Sequence, residues 1–323
     1  MSALPQPGVT VHRLGDPSYP PVLAADHHAP TVLFSRGDVA VLARPRVAVV
    51  GTRSATHYGE EVAAELGRDL ARAGVVVVSG LALGIDGAAH CGALSAGGAP
   101  PAGVVASGLD VVYPRRHAWL WEQVATRGTL LSQYPVGTQA VAWRFPLRNR
   151  IMAALAQVVV VVECHRRGGA LHTVEAAVER GIPVMAVPGS VRSPASVGTN
   201  ALLYEGCQPV RDADDVLTAL DIERTGRPEP SPTPHVALDD DATAVLHTLD
   251  WQPTATDELL RRTGMRLEEL AVILDRLEES GLVRSGSGWW ERTAEAGIRT
   301  SPKARRPSAP GCSTGCGAYA GPA

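Results

Sequence analysis

Six short apolar runs recur along the first two thirds of the chain. Their starts lie about 25 to 29 residues apart, and they cover residues 47–50, 75–79, 102–106, 129–133, 158–163 and 183–187. That spacing suits a strand, a helix and two loops. The fifth run holds five consecutive valines, and a strand that is apolar on both faces is buried on both faces. The pattern therefore predicts an α/β fold with a doubly wound, mostly parallel sheet.

The connection after the first run is a candidate anion site. Gly51 and the small residues after it break the apolar run, and an amphipathic helix follows. A turn of this kind can direct backbone N–H groups and a helix N-terminus at an anion, and Arg53 can donate two hydrogen bonds to a phosphate. Alternatively, Gly51 only lets the chain turn tightly, without binding an anion.

Small, polar or basic loops also follow the other runs. Because ligands bind at the carboxyl ends of strands in a doubly wound sheet, these loops predict an extended anionic ligand. The segment WRFPLRNR, residues 143–150, holds three arginines, two aromatic residues and no acid. Arginines for phosphates and an aromatic ring for a base are what single-stranded nucleic acid requires. Alternatively, Trp143 and Phe145 are core residues and the arginines pair with nearby acids.

Composition removes several function classes. The net charge is −3, so a nucleic-acid surface would have to be local. Lys303 is the single lysine, which excludes a Walker-type phosphate loop and Schiff-base chemistry from the body of the chain. The sequence shows neither a signal peptide nor a membrane-length apolar stretch. Cys312 and Cys316 form an isolated C-x3-C pair, and we expect no metal and no other cofactor.

Asp86 and His90 lie four residues apart on one predicted helix. They share a helix face and so form a candidate acid/base pair. We favour a structural role, in which Asp86 is the helix N-cap and His90 packs or forms hydrogen bonds.

The last third of the chain predicts a second, smaller domain. Residues 223–240 are a proline-rich linker, and residues 241–292 read as three helices and a hairpin, like a winged helix. The third helix, Arg266 to Ser280, carries five acids against two arginines. Phosphate should repel it, so we expect a protein-interaction or regulatory module. Residues 293–323 read as a disordered basic tail with weak attraction for DNA.

Six motifs together resemble one family. VAVVGTRSATHYG, VVVVSGLALGIDGAAH, SGLDVVYP, FPLRNRIMAAL, GGALHT and AVPG followed by GTN occur in the order seen in the DNA-processing protein A family, DprA or Smf. The similarity covers roughly residues 11–212. It implies a Rossmann-like domain, residues 44–222, on which an N-terminal extension, residues 1–43, packs.

The same resemblance implies a function. Family members are cytoplasmic, non-enzymatic proteins that bind single-stranded DNA, form homodimers and load the RecA recombinase in natural transformation. The DNA site that it implies, together with the loops and basic segment above, comprises Gly51, Thr52, Arg53, Ser79, Gly80, Arg144, Phe145, Arg148, Asn149, Arg150, Gly169, Thr173 and Asn200. The chain departs from the family pattern at His117, Gln133, Ala142 and His172, which puts affinity in question more than fold.

Two enzyme functions are the alternative hypotheses. The LOG phosphoribohydrolases share the general fold and use a PGG-x-GT-x-x-E motif, whose nearest match here is RGGALHTVE. Arg167, Leu171 and His172 depart from that motif, whereas Glu175 stands where its catalytic glutamate would be. A NAD-dependent enzyme would need a G-x-G-x-x-G turn after the first strand, which this chain lacks.

Overall fold

The computed structural model describes residues 8–222, 238–249, 253–286 and 288–293. The chain divides into two compact units, Met1–Arg227 and Pro228–Ala323. Most of the predicted linker and nearly all of the predicted tail lie outside the described residues.

A nine-stranded sheet forms the centre of the first unit. Its strands in chain order are β1 (Thr10–Arg13), β2 (Val32–Gly37), β3 (Arg46–Val50), β4 (Val76–Ser79), β5 (Ala102–Val104), β6 (Thr129–Ser132), β7 (Val158–Val161), β8 (Val184–Ala186) and β9 (Gln208–Pro209). Their order across the sheet is β1-β2-β6-β5-β4-β3-β7-β8-β9. All pairs from β6 to β9 are parallel. The six predicted strands and the mostly parallel sheet are therefore confirmed.

The order of the strands reverses at β3. After β3 the chain builds β4, β5 and β6 to one side, and it then returns to place β7 and β8 on the other. Such a switch point leaves a crevice at the carboxyl ends of the two diverging strands.

Eight helices lie in the described part of this unit, residues 8–222. They are α1 (Pro21–Ala24), α2 (His57–Arg72), α3 (Ile85–Ser95), α4 (Ala118–Arg127), α5 (Arg144–Leu155), α6 (Leu171–Val178), α7 (Val197–Tyr204) and α8 (Ala213–Ala219), with 3-10 turns at Val39–Ala43, Arg115–His117 and Pro194–Ser196. Helices α2, α3 and α8 pack on one face of the sheet, and α1, α5, α6 and α7 on the other.

The five consecutive valines show why the sheet must be covered twice. Val158, Val160 and Val162 enter the core on the α2–α3 side, whereas Val159 and Val161 enter the core on the α5–α6 side. Side chains alternate between the faces of a strand, and each buried valine contributes about 1.5–3 kcal/mol relative to exposure. A polar residue anywhere in this run would be buried.

The residues before β3 complete one edge of the sheet. Strand β2 pairs antiparallel with β6, with Phe34 opposite Ser132, and β1 pairs antiparallel with β2. Leu23 of α1 and Leu33 of β2 are buried in the same core as α5.

The second unit is a small helical domain with a hairpin. It contains α9 (Asp240–Thr248), β10 (Thr254–Ala255), α10 (Thr256–Thr263), α11 (Leu267–Glu279), β11 (Val283–Gly286) and β12 (Trp289–Arg292). Strands β11 and β12 form the predicted hairpin, with Gly286 opposite Trp289. Apolar residues of all three helices share one core. In the described parts of both units, no helix has the length and apolar character needed to cross a membrane.

Candidate nucleic-acid interface

The largest set of predicted site residues meets in one pocket at the switch point. The pocket has a volume of about 560 Å³ and opens beside the carboxyl ends of β3 and β7. Eight of the thirteen predicted residues line it: Gly51, Thr52, Arg53, Phe145, Arg148, Asn149, Gly169 and Thr173. Segments that lie about a hundred residues apart in the chain therefore contribute to one surface.

The loop after β3 is fixed from below by Glu163. The carboxylate of this buried residue accepts the backbone N–H of Thr56 at 2.8 Å and its hydroxyl at 2.6 Å. The Glu163 carbonyl accepts the N–H of Thr52 at 2.8 Å. A Cβ at Gly59 would collide with the same carboxylate, so the glycine permits this close approach. These contacts fix the loop that carries the exposed Arg53.

Phe145 is surrounded by cationic and aromatic side chains. The Arg53 guanidinium carbon lies 4.5 Å from the centre of the Phe145 ring, and that of Arg148 lies 5.8 Å from it. The ring of Tyr113 is tilted against Phe145 with 5.6 Å between centroids. Phe145 is half-buried and lines the pocket. The negative face of an aromatic ring attracts a cation lying over it, and this attraction stabilises the cluster.

Arg148 lies in the floor of the pocket, with 4% of its surface exposed. Its Nη1 donates to the carbonyl of Val104 at 2.6 Å, and its Nε has no hydrogen-bond partner among the described residues. Burial lowers the pKa of Arg148 to about 10, although the Asp86 carboxylate opposes this effect. A Cβ at Gly80 would collide with the guanidinium. Arg148 therefore supplies positive potential from beneath the surface.

The opposite wall is joined to α5 by Asn149. Its Nδ2 donates to the carbonyl of Gly169 at 3.0 Å, which fixes the loop between β7 and α6. The buried Thr173 hydroxyl, at the start of α6, has no hydrogen-bond partner in the described part of the chain. A buried polar group without a partner is costly, and a ligand oxygen in the pocket would satisfy it.

Five predicted residues do not line the pocket. Ser79 is buried and donates to the carbonyl of Val49 at 2.6 Å. Gly80 packs against the Arg148 guanidinium, and Arg150 is exposed on α5. Asn200 holds the Gly189 backbone, accepting its N–H at 3.3 Å and donating to its carbonyl at 3.1 Å. Arg144 lies against a separate aromatic cluster, which is described below.

Tyr113, His165 and Arg167 are among the pocket residues that the sequence did not predict. Each comes from a loop whose composition was noted, SGLDVVYP or CHRRGGALHT. The basic pair before the two glycines was the available signal for Arg167. For Tyr113, no local pattern distinguishes a ring that lines a pocket from one that packs elsewhere.

The N-cap expected at Asp86 is wrong. Helix α3 has Gly84 at its N-cap, with a φ of 71° that favours glycine, and Asp86 lies within the first turn. The Asp86 carboxylate instead accepts the N–H of Gly80 at 3.1 Å. Burial raises the pKa of this carboxyl group, and the nearby Arg148 opposes the rise. Asp86 thus fixes the loop after β4, and it also lines the pocket.

His90 is fully buried one turn further along α3. Burial lowers its pKa from 6.5 to about 4, because the charged imidazolium loses its hydration. It does not line the pocket. This placement fits the structural role that we favoured over an acid/base pair.

Glu175 does not line the pocket. Its side chain is 67% exposed and lies 3.2 Å from Nδ1 of His172, one turn away on α6. It is absent from the pocket lining, although the preceding residues His172 and Thr173 contribute to it. The geometry therefore gives no support to a hydrolase whose catalytic glutamate would be Glu175. Within the described residues, no group of three or more His, Cys, Asp or Glu side chains is arranged to hold a metal ion.

Comparison with known proteins agrees with this architecture. The model of the DNA recombination-mediator protein A family matches residues 10–221, and that of the DprA winged helix domain matches residues 229–288. The chain belongs to the DNA recombination-mediator protein A family. The winged helix expected from three helices and a hairpin is confirmed.

Individual relatives cover most of the chain. It is 40% identical over 268 residues to a putative DNA processing protein DprA of Mycobacterium tuberculosis, which covers 81% of this chain and 69% of the relative. It is 37% identical over 221 residues to the DNA processing protein DprA of Bacillus subtilis, covering 68% and 74% of the two chains.

Two solved structures of the family also resemble it. DNA processing protein A of Streptococcus pneumoniae superposes with a TM-score of 0.62 at 38% identity, over 66% of this chain and 74% of that one. The Helicobacter pylori protein, described for its single-stranded DNA binding mode, gives a TM-score of 0.60 at 28% identity, over 67% and 97% of the two chains.

Proposed function

We propose that this protein binds single-stranded DNA in the pocket at the β3/β7 switch point. The observation that carries the proposal is the cluster of Arg53, Phe145 and Arg148, in which two guanidinium groups flank one aromatic ring. Neither arginine forms an ion pair with a carboxylate of the described residues. Their charge remains available for phosphate.

The two arginines have different roles in this proposal. Arg53 is exposed and able to contact a phosphate directly, with two parallel hydrogen bonds. Arg148 is buried and acts through the field that it creates in the pocket. The Asp86 carboxylate offsets part of this field, and the exposed Arg53 and Arg167 add positive charge to the same pocket.

The aromatic ring explains the preference for single strands. A base reaches the half-buried Phe145 only when it is unstacked and unpaired, whereas a duplex presents its phosphates and keeps its bases inside. Arg53 lies over the ring in the free protein, so a base either displaces this guanidinium or stacks on its planar face.

Family membership supports the rest of the proposal. We propose that the protein acts in the cytoplasm as a non-catalytic homodimer that protects incoming DNA and loads the RecA recombinase during natural transformation and recombination. The single-stranded DNA binding mode described for the Helicobacter pylori relative supports the first step of this proposal. We retain residues 44–222 as the DNA-binding domain and residues 241–292 as a regulatory or protein-interaction module.

A binding titration tests the central step. We expect a fluorescent single-stranded oligonucleotide to bind more tightly than the matched duplex at the same salt concentration. Equal affinities would contradict the proposal. The same preparation should leave nucleoside monophosphates intact, and their hydrolysis would revive the phosphoribohydrolase reading. Mass measurement in solution and a RecA filament assay on coated DNA test the dimer and the loading step.

A further inference from the structure

A second aromatic cluster lies beside the pocket. The rings of Trp143 and Tyr134 pack edge to face at 89°, with 6.5 Å between centroids. The guanidinium carbon of Arg144 lies 4.7 Å from the Tyr134 ring centre and 4.9 Å from the Trp143 ring centre. We call these three residues the Trp143 platform. None of them lines the pocket around Phe145.

The platform has unused binding capacity. The Trp143 side chain is 61% exposed, although tryptophan carries a large apolar surface. Arg144 donates from Nη1 to the carbonyl of Gln139, and its Nε is buried without a hydrogen-bond partner among the described residues. No carboxylate in the described part of the chain pairs with Arg144.

The surrounding sequence is free of negative charge. Residues 123–162 contain four arginines and no aspartate or glutamate, although acids outnumber bases in the whole chain, 33 to 30. The platform also borders a groove of about 520 Å³ that continues to Pro30, Val32 and Phe34. A surface that combines exposed aromatic rings with an arginine free of carboxylate partners complements a nucleic-acid strand better than it complements a basic protein partner.

The platform repeats the chemistry of the pocket. Each cluster contains an aromatic pair and a guanidinium within 5 Å of a ring centre. Trp143 and Phe145 are two residues apart, so their Cα atoms are separated by at most about 7.6 Å, twice the spacing of adjacent Cα atoms. A single strand of DNA that runs along the start of α5 is therefore able to contact both clusters.

We infer that the Trp143 platform is a second base-stacking subsite for single-stranded DNA, which receives a nucleotide flanking the one held at Phe145. Arg144 binds the phosphate between them and Trp143 stacks on the flanking base. This inference rests on the proposed function. It also gives Arg144, which is separate from the pocket, a place on the path of the DNA.

The length of the oligonucleotide tests the inference. A single nucleotide, thymidine monophosphate, fills the Phe145 pocket alone, whereas a long oligothymidylate reaches both subsites. We expect Trp143→Ala to lower affinity for the long strand about tenfold and to leave the affinity for thymidine monophosphate unchanged. Trp143→Phe should retain most of the affinity, because a smaller π-face still stacks.

The matched control is Trp119→Ala. Trp119 lies on α4, is 64% exposed and borders neither the pocket nor the groove. It should therefore leave both affinities unchanged. Equal losses for the two tryptophan variants, or an unchanged long-strand affinity in Trp143→Ala, would overturn the subsite. A dimer that dissociates on Trp143→Ala would instead assign the platform to contact with a second copy.

Photocross-linking provides a second measurement that does not depend on the variants. A long oligonucleotide carrying 5-iodouracil should cross-link to Trp143 or Tyr134 as well as to the pocket. Cross-links confined to the pocket would contradict the subsite while leaving the proposed function intact. Failure of the unmodified protein to bind any single strand would overturn both.

Discussion

Two helices with opposite electrostatics distinguish the two units of this protein. Helix α5 begins with Arg144, carries two further arginines and lies in a forty-residue stretch without acids, residues 123–162. Helix α11 occupies the third-helix position of a winged helix, yet it carries five acids and one arginine. The unit whose architecture is commonly associated with DNA thus has the less suitable charge. Fold alone does not assign function, and the charge of the site must be read as well.

The difference extends to how the charges are used. On α11, Glu269 pairs with Arg266 at 2.5 Å, and Arg276 pairs with Asp239 of α9 at 2.9 Å. These exposed pairs contribute little to stability, and three further acids of the helix stay exposed: Glu268, Asp275 and Glu279. The arginines around Phe145 have aromatic neighbours instead of carboxylate partners within the described residues. We therefore expect α11 to repel phosphate and the surface around Phe145 to attract it.

The largest expected effect concerns how the free energy of unfolding depends on pH through the buried His90. His90 has a folded-state pKa of about 4, against 6.5 when hydrated. Between these values the unfolded chain binds more protons, so the free energy of unfolding falls as pH falls. The slope approaches about 1.4 kcal/mol per pH unit for one group. Chemical denaturation at several pH values should show a flatter slope for His90→Asn than for the unmodified protein.

Exposed His247 on α9 of the second unit provides the control for this prediction. The substitution His247→Asn should leave the pH dependence of unfolding of the first unit as it was. If His90→Asn kept the original slope, the imidazole would not be the buried neutral group that the structure describes.

The next effect concerns a single phosphate contact. Arg53→Ala should weaken binding to all single strands alike and reduce the salt dependence of affinity by about one unit of slope. The physical reason is that one fewer counterion is released. Arg276→Ala on α11 is the matched control, because it removes the same charge from the acidic region, and it should change neither quantity. An affinity loss in Arg53→Ala without a change of slope would indicate altered folding.

The smallest effect should come from removing the second unit. Deleting residues 230–323 should leave most of the affinity in the first unit, because α11 carries repulsive charge. Removing residues 293–323 alone separates any contribution of the basic tail. A loss of about tenfold or more, 1.4 kcal/mol, that is absent from the shorter deletion would show that the winged helix binds DNA.

Sequence patterns were sufficient to predict the sheet, but not to predict which residues of the site are buried and which are exposed. The spacing of apolar runs and the run of valines specify buried parallel strands, since both effects are local. Arg148 and Arg150 look equivalent in the sequence, yet one lies in the pocket floor and the other is exposed. Helix phase relative to the sheet decides between them, and that phase depends on packing among distant segments.

The contacts of side chains in the first turns of α3 and α5 likewise depend on packing that the sequence does not show. Asp86 was expected at the N-cap of α3, but Gly84 occupies that position, and Asp86 lies in the first turn and accepts the N–H of Gly80. Arg144 and Phe145 are adjacent at the start of α5, so their side chains diverge to different surfaces. Adjacent residues in a basic segment therefore belong to separate clusters.

Phe145→Ala tests the central claim most directly, with single-strand affinity and the thermal midpoint measured on the same preparation. A ring that stacks on a base is worth about 1–3 kcal/mol of binding, whereas a fully buried phenylalanine contributes about 3–5 kcal/mol to folding. We predict an affinity about tenfold lower or weaker still, a nearly unchanged midpoint, and most of the affinity retained in Phe145→Trp. A large fall in the midpoint, with intact affinity in the folded fraction, would show that Phe145 is a core residue and would contradict the account.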